Sequence, residues 1–194
     1  MLFYRQNYDV ISNYSYLTDT IVTVTTYRNA SRSKAYGMDF LVSSGALGWL
    51  SLNGTLSLYN TKFDKDLITE NAQEEGFSWK ANVRSTLTFP DLFSLEFYYT
   101  YTGKKVNAQG INVPTSSFDV GISKSFLKEA FTVNLRASDL FETQKWGQDI
   151  NTASYSSSIR SDWSARMLSL NLSYRFGNTD EYYQKKKKTK QNTN

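Results

Sequence analysis

The stretch LSLNLSYRFG, Leu168 to Gly177, sets Leu168, Leu170, Leu172, Tyr174 and Phe176 in strict alternation with Ser169, Asn171, Ser173 and Arg175. Side chains of a strand point to opposite faces in turn, so this spacing predicts a strand with one apolar and one polar face. Which solvent the apolar face meets then decides the fold.

The pattern recurs along the chain. Period two predicts eight segments: Leu2 to Asn13, Thr20 to Val42, Trp49 to Phe63, Phe77 to Phe89, Leu92 to Gly103, Ser116 to Ser125, Ala130 to Phe141 and Ser161 to Phe176. In the fourth, Phe77, Trp79, Ala81, Val83, Leu87 and Phe89 alternate with Ser78, Lys80, Asn82, Arg84, Thr86 and Thr88. The fifth sets Phe93, Leu95, Phe97, Tyr99 and Tyr101 against Ser94, Glu96, Tyr98, Thr100 and Thr102. The seventh sets Phe131, Val133, Leu135 and Ala137 against Thr132, Asn134, Arg136 and Ser138. Most segments exceed the ~5–6 residues usual in soluble proteins. Several reach the ~9–11 residues of a tilted strand that crosses a bilayer.

Composition narrows the chemistry. The chain has no Cys and no His, which removes disulfides, thiolate or imidazole metal sites and every His-dependent triad. With two Pro and with 14 Tyr, 12 Phe and 4 Trp, its composition suits long pleated segments. No pair of residues suggests catalysis, and an enzyme is not expected. Of the 22 Lys and Arg and 18 Asp and Glu, five Lys (Lys185 to Lys188 and Lys190), Asp180 and Glu181 lie beyond Gly177. The body therefore holds 17 basic against 16 acidic residues, so no basic face for nucleic acid is expected, and residues 178–194 read as a solvated basic tail.

Hydropathy by itself argues against a membrane helix, because the longest apolar run, GALGWL, is six residues where ~20 are needed. A barrel escapes that test, since its two faces cancel in any window. MLFYRQNYDV has neither the basic start nor the apolar core of a signal peptide, so any export route is expected to be missing from this chain or to lie upstream of Met1.

Two features favour lipid over a soluble core for the apolar face. Aromatics cluster at segment ends (Trp49, Phe63, Phe77, Trp79, Phe89, Phe93, Phe131, Phe141, Tyr174, Phe176) with aliphatic residues between, as girdles at two lipid interfaces require. The links after the second, fourth and sixth segments are short (SSGALG, PD, FLKE). Those after the third, fifth and seventh are long and polar (DKDLITENAQEEG, KKVNAQGINVPT, ETQKWGQDINTASYSSSIR). Tight turns at one end and large loops at the other mark an outer-membrane barrel. The first link, YSYLTD, is short for an external loop. The fold class is thus all-β, an antiparallel up-and-down transmembrane barrel segment of about eight strands over residues 1–177.

At this point the chain resembles a family: the C-terminal barrel portion of TonB-dependent outer-membrane receptors, of the Bacteroidetes type. The resemblance rests on NYDVIS, TTYRNASRSKAYGMDFLV leading into WLSLNGTLSLYNTKFD, GFSWKANVRSTLTFP, SFDVGISKSFLKEAFTVNLRASDLFET and LSLNLSYRFG, in that order. It implies a Gram-negative outer-membrane location and a share in a 22-stranded barrel that imports an iron chelate, cobalamin or a glycan. The implied partners are outer-membrane lipid, the remaining strands, a plug domain and, through the plug, TonB. Phe176 resembles the terminal aromatic read during barrel insertion, although GNTDEYYQKKKKTKQNTN follows it here.

Candidate site residues follow from the faces. Lys80, Arg84, Glu96, Asp119, Arg136 and Arg175 are expected on a wet lumen wall, with Lys80 or Arg84 bridging to Glu96. Leu168, Leu170, Leu172, Tyr174 and Phe176 are expected to face lipid. Asp64, Asp66, Glu70, Glu74 and Glu75 make an acidic loop that reads as solvated rather than as a calcium site, since the spacing fits no EF-hand. Asp139 reads as a turn former. Trp146, Tyr155 and Trp163 could stack on a sugar or chelate, although an interfacial girdle explains Trp163 equally well. No cofactor or metal is expected.

Two alternatives remain at the level of sequence. Eight strands can close into a small barrel filled with side chains, acting as an anchor or adhesin. A soluble ligand-binding barrel would instead need its apolar face inside.

Overall fold

The computed structural model describes residues 1–18, 21–64, 75–107, 109–151, 156–162 and 166–176. The described residues form twelve strands and no helix. These are β1 (Leu2–Thr18), β2 (Val22–Leu47), β3 (Leu50–Phe63), β4 (Glu75–Phe89), β5 (Phe93–Thr102), β6 (Lys105–Asn107), β7 (Gly110–Asn112), β8 (Thr115–Phe126), β9 (Phe131–Ser138), β10 (Trp146–Asn151), β11 (Ser156–Ser161) and β12 (Met167–Tyr174). Eight of them make one antiparallel meander in the order β1-β2-β3-β4-β5-β8-β9-β12, and four make a second sheet in the order β11-β10-β7-β6.

The register of the large sheet follows its apolar alternation. Leu47, Leu50, Leu87, Leu95, Ile122, Leu135 and Leu170 pair successively, so one aliphatic row runs sideways across seven strands. A slip of one residue anywhere would send that strand's leucines to the polar face. Aromatic side chains bracket the row on the same face. Toward the tight turns Phe89 meets Phe93 at 4.9 Å, Phe126 meets Phe131 at 6.1 Å and Tyr174 meets Phe176 at 4.6 Å between ring centroids. Toward the loops Trp79 stacks on Tyr101 at 4.0 Å and Phe118 on Phe141 at 5.5 Å.

The turns have local causes. Pro90 presets the backbone after Phe89, Asp91 takes a φ of 60°, and Leu92 N–H donates to the Phe89 carbonyl at 3.1 Å. That is type II geometry, with a short polar residue in the left-handed position that glycine usually takes. At the other end of β9, Asp139 takes a φ of 48° and stops the strand at Ser138, short of the Phe141 that alternation suggested.

Among the described residues nothing covers the apolar face of β12. Leu168, Leu170, Leu172 and Phe176 are 60–84% exposed, and the buried apolar side chains among the described residues are only Phe63, Val106 and Ile150. None of these three lies on the leucine row. Phe63 ends β3, and Val106 and Ile150 belong to the small sheet, on opposite faces of it.

Two of the long polar links carry strands that the period-two segments did not include. Within residues 103–114, β6 and β7 form a hairpin, and within residues 139–166, β10 and β11 form another. The two hairpins join through β7 and β10. Periodicity missed them because strands of three to six residues are too short to show a period. Gly110 permits the junction: a Cβ there would collide with the Asp149 carbonyl oxygen. The first link is corrected. β1 and β2 stay paired to Thr18 and Val22, so an extended hairpin stands where a short external loop was expected.

The large sheet is open. β1 and β12 each have one neighbour, and β2 from Phe40 to Leu47 pairs with β3 alone, because β1 joins β2 only from Met38 outward.

Gly110→Ala is expected to unseat the β7–β10 junction at a cost on the order of 1–3 kcal/mol, as overpacking does. Limited proteolysis should then cut within residues 103–114 and 139–162 while the large sheet stays resistant.

Candidate functional site

The polar face of the large sheet carries the charged residues picked out by alternation. Arg84 on β4 and Glu96 on β5 meet at 2.9 Å. Their ladder partners are Tyr98 and Thr86, so the ion pair is a diagonal across adjacent strands, within reach of long side chains. Lys80 does not share in it. It lies opposite Ser57 and Thr102, six residues along the strand from the Thr86 that faces Glu96. Arg175 follows the end of β12, and its backbone N–H donates to the Ala130 carbonyl at 2.8 Å.

Arg136 finds a partner that pairing with Glu96 did not anticipate: its guanidinium donates to Asp119 Oδ2 at 2.5 Å. The other oxygen of Asp119 accepts from Ser117 Oγ at 3.1 Å and from the Asp139 backbone N–H at 2.9 Å. Asp139, 3% exposed, accepts in turn from the backbone N–H of Thr143 at 3.0 Å and of Gln144 at 3.2 Å. Asp139 is thus the turn former its sequence position suggested, and Asp119 couples that turn to the wall. Arg84, Glu96, Tyr98, Asp119, Gly121 and Arg136 together line a shallow hollow of about 280 Å³. Its charges are two Arg against two carboxylates, already paired, which suits a stiff hydrated wall better than a charged ligand site.

Above the wall the small sheet forms a cap. Asn107 Oδ1 accepts from the N–H groups of Gln109 and Gly110 at 3.1 and 2.9 Å, turning the chain between β6 and β7. This presents Gln109 to the backbone of β1. Gln109 Oε1 accepts from Ser15 N–H at 2.8 Å, and Gln109 Nε2 donates to the Ser15 carbonyl at 3.0 Å. A side-chain amide with both partners on one residue copies a strand neighbour, and Gln109 is 2% exposed. Sequence reasoning passed over Gln109. The asparagine and glycine flanking it in NAQG were the available turn signal.

Asp149 on β10 accepts from Arg160 at 2.7 Å and Ser158 at 2.8 Å, both on β11. These bonds, led by the one from Arg160, hold the Asp149 carboxyl below the usual carboxylate range. Trp146 opens β10 and is half exposed, whereas Tyr155 and Trp163 lie outside the described residues, as do Asp66, Glu70, Glu74 and the tail. Among the described residues no group of carboxylates is placed to hold a metal ion.

An antiparallel meander with an uncovered apolar face, aromatic borders and turns opposite loops is the wall of an outer-membrane barrel. The chain matches the outer membrane protein beta-barrel family over residues 1–174 and belongs to it. It is therefore a protein of the outer membrane, set in its lipid. No curated protein and no solved structure matches the chain.

Asp119→Ala is expected to cost on the order of 1–3 kcal/mol, since it strands Arg136 and the Asp139 N–H together. Arg84→Ala, which breaks an exposed pair, should cost less than about 1 kcal/mol. Urea unfolding in detergent would compare them.

The cap is also expected to loosen in acid. With a lowered folded pKa, Asp149 contributes fully above the unpaired carboxylate value and loses that contribution as pH falls through the folded one. Amide exchange along β10 and β11, corrected for intrinsic rate, should therefore speed up below about pH 4. Asp149→Asn should flatten that dependence.

Proposed function

We propose that this chain supplies part of the wall and the external cap of a TonB-dependent receptor that imports an iron chelate, cobalamin or a glycan. The observation that carries this reading is the open large sheet, in which β1 and β12 each have one neighbour. The hydrocarbon core has no water to satisfy unpaired N–H and C=O groups, so a sheet placed there needs further strands. In this reading the leucine row and Leu168, Leu170, Leu172, Tyr174 and Phe176 face lipid. Lys80, Arg84, Glu96, Arg136 and Arg175 face a wet lumen that a plug domain fills, and TonB acts through the plug. The folded cap supports import, because ordered loops over a lumen can select what enters. The paired charges of the hollow support a wall and no enzymatic role.

Refolding the chain alone into detergent micelles tests the first part. Aggregation or a broad oligomer is expected; a compact, heat-modifiable monomer would instead favour a complete eight-stranded anchor. Import is tested by uptake of a labelled iron chelate, cobalamin and glycan in cells with and without the gene, with the proton-motive force intact or collapsed. Uptake of one of them should need both, and independence of all three from the gene would overturn import.

The lipid assignment makes its own prediction. Leu135→Arg is expected to cost ~2–4 kcal/mol or to block insertion, as an arginine at the bilayer midplane does. Asn134→Arg, one residue away on the other face, should insert normally. Comparing yields of folded protein in outer-membrane fractions distinguishes them.

A further inference from the structure

The extended hairpin carries the outward face of the wall beyond the apolar band. On β2 that face runs from Val42, Phe40 and Met38 through Tyr36 to Lys34 and Arg32. On β1 it runs from Leu2 through Tyr4 and Gln6 to Tyr8, which pairs with Arg32. The Arg32 guanidinium lies over the Tyr8 ring at 5.3 Å, and farther out Arg28 repeats the arrangement over Tyr14 at 4.3 Å. On β3 the same face carries Lys62, which is paired with Glu75 at 3.5 Å.

Arg28, Arg32 and Lys34 are unspent charges of this surface, and Arg32 and Lys34 are the two nearest the apolar band. None of the three has a carboxylate within 4.0 Å among the described residues. Asp64 touches Arg32 only through its backbone N–H, which donates to the Arg32 carbonyl at 3.1 Å. Height also matters. At ~3.3 Å per residue, Lys34 and Arg32 lie ~13 and ~20 Å along the strand from Met38 at the band's edge. A strand tilted by ~45° places them ~9 and ~14 Å above it, ~1 and ~6 Å past the ~5–8 Å headgroup layer, distances that long basic side chains can span by reaching back toward it.

We infer that Arg32 and Lys34, flanked by Tyr4 and Tyr8, form a docking site on the outer wall for the phosphorylated headgroup of an outer-leaflet glycolipid. Arg and Lys bind phosphate oxygens, the tyrosine rings pack on the sugar faces, and the acyl chains continue down the apolar band. The site rests on the reading above that this band faces lipid.

The test uses the full-length protein extracted from outer membranes in mild detergent and titrated with a diphosphorylated diglucosamine glycolipid or its dephosphorylated form, read by native mass spectrometry. The wild type is expected to retain the phosphorylated form about tenfold better. The Arg32→Gln, Lys34→Gln double variant should lose that preference while holding the dephosphorylated form as the wild type does. Equal retention of both lipids by the wild type, or an unchanged preference in the variant, overturns the docking site and leaves the lipid-facing band standing. Retention of neither lipid overturns both. Displacement by equimolar free pyrophosphate would show a soluble anion as the ligand and overturn the lipid assignment.

Discussion

Lipid offers a peptide group nothing to bond with, and the rest of this structure depends on that constraint. A strand that crosses a bilayer must give every N–H and C=O to a neighbour, so strands there come as closed sets or as parts of one. The meander from β1 to β12 meets the requirement inside the sheet, and its outer strands β1 and β12 each have one neighbour.

The same constraint explains why ordinary rules of burial are reversed. A soluble sheet hides its apolar face on a core, yet the leucine row from Leu47 to Leu170 holds none of the buried apolar side chains, two of which, Val106 and Ile150, sit in the small sheet. In an outer-membrane protein the lipid takes the place of that core. The small sheet buries one apolar side chain on each of its faces, Val106 on the face of Ile111 and Ile150 on the face of Gly110. Gln109, bonded to both peptide groups of Ser15, ties the small sheet to the wall.

Charge on the polar face is arranged for stiffness. Arg84 with Glu96 and Arg136 with Asp119 stitch neighbouring strands diagonally, and Asp119 extends its bonds to the turn at Asp139. The ion pairs are partly exposed and individually weak, but the Asp119 cluster also satisfies backbone groups, so its loss affects both wall and cap.

Alternation alone determined the large sheet. Period two in LSLNLSYRFG and its counterparts fixes which residues share a face, and link length fixes which ends carry turns, because both depend only on local geometry. The sequence also showed Asp139 as a turn former, since a short side chain that bonds its own backbone is a local property. Tertiary structure decided the rest. Arg84 and not Lys80 takes Glu96, because register sets which charges come within reach. Asp119 takes Arg136, and Gln109 reaches Ser15 across 94 positions of sequence, through pairings that no local pattern encodes. The cap strands were illegible for the same reason: strands of three to six residues owe their existence to the neighbours they meet, and only the fold supplies those neighbours.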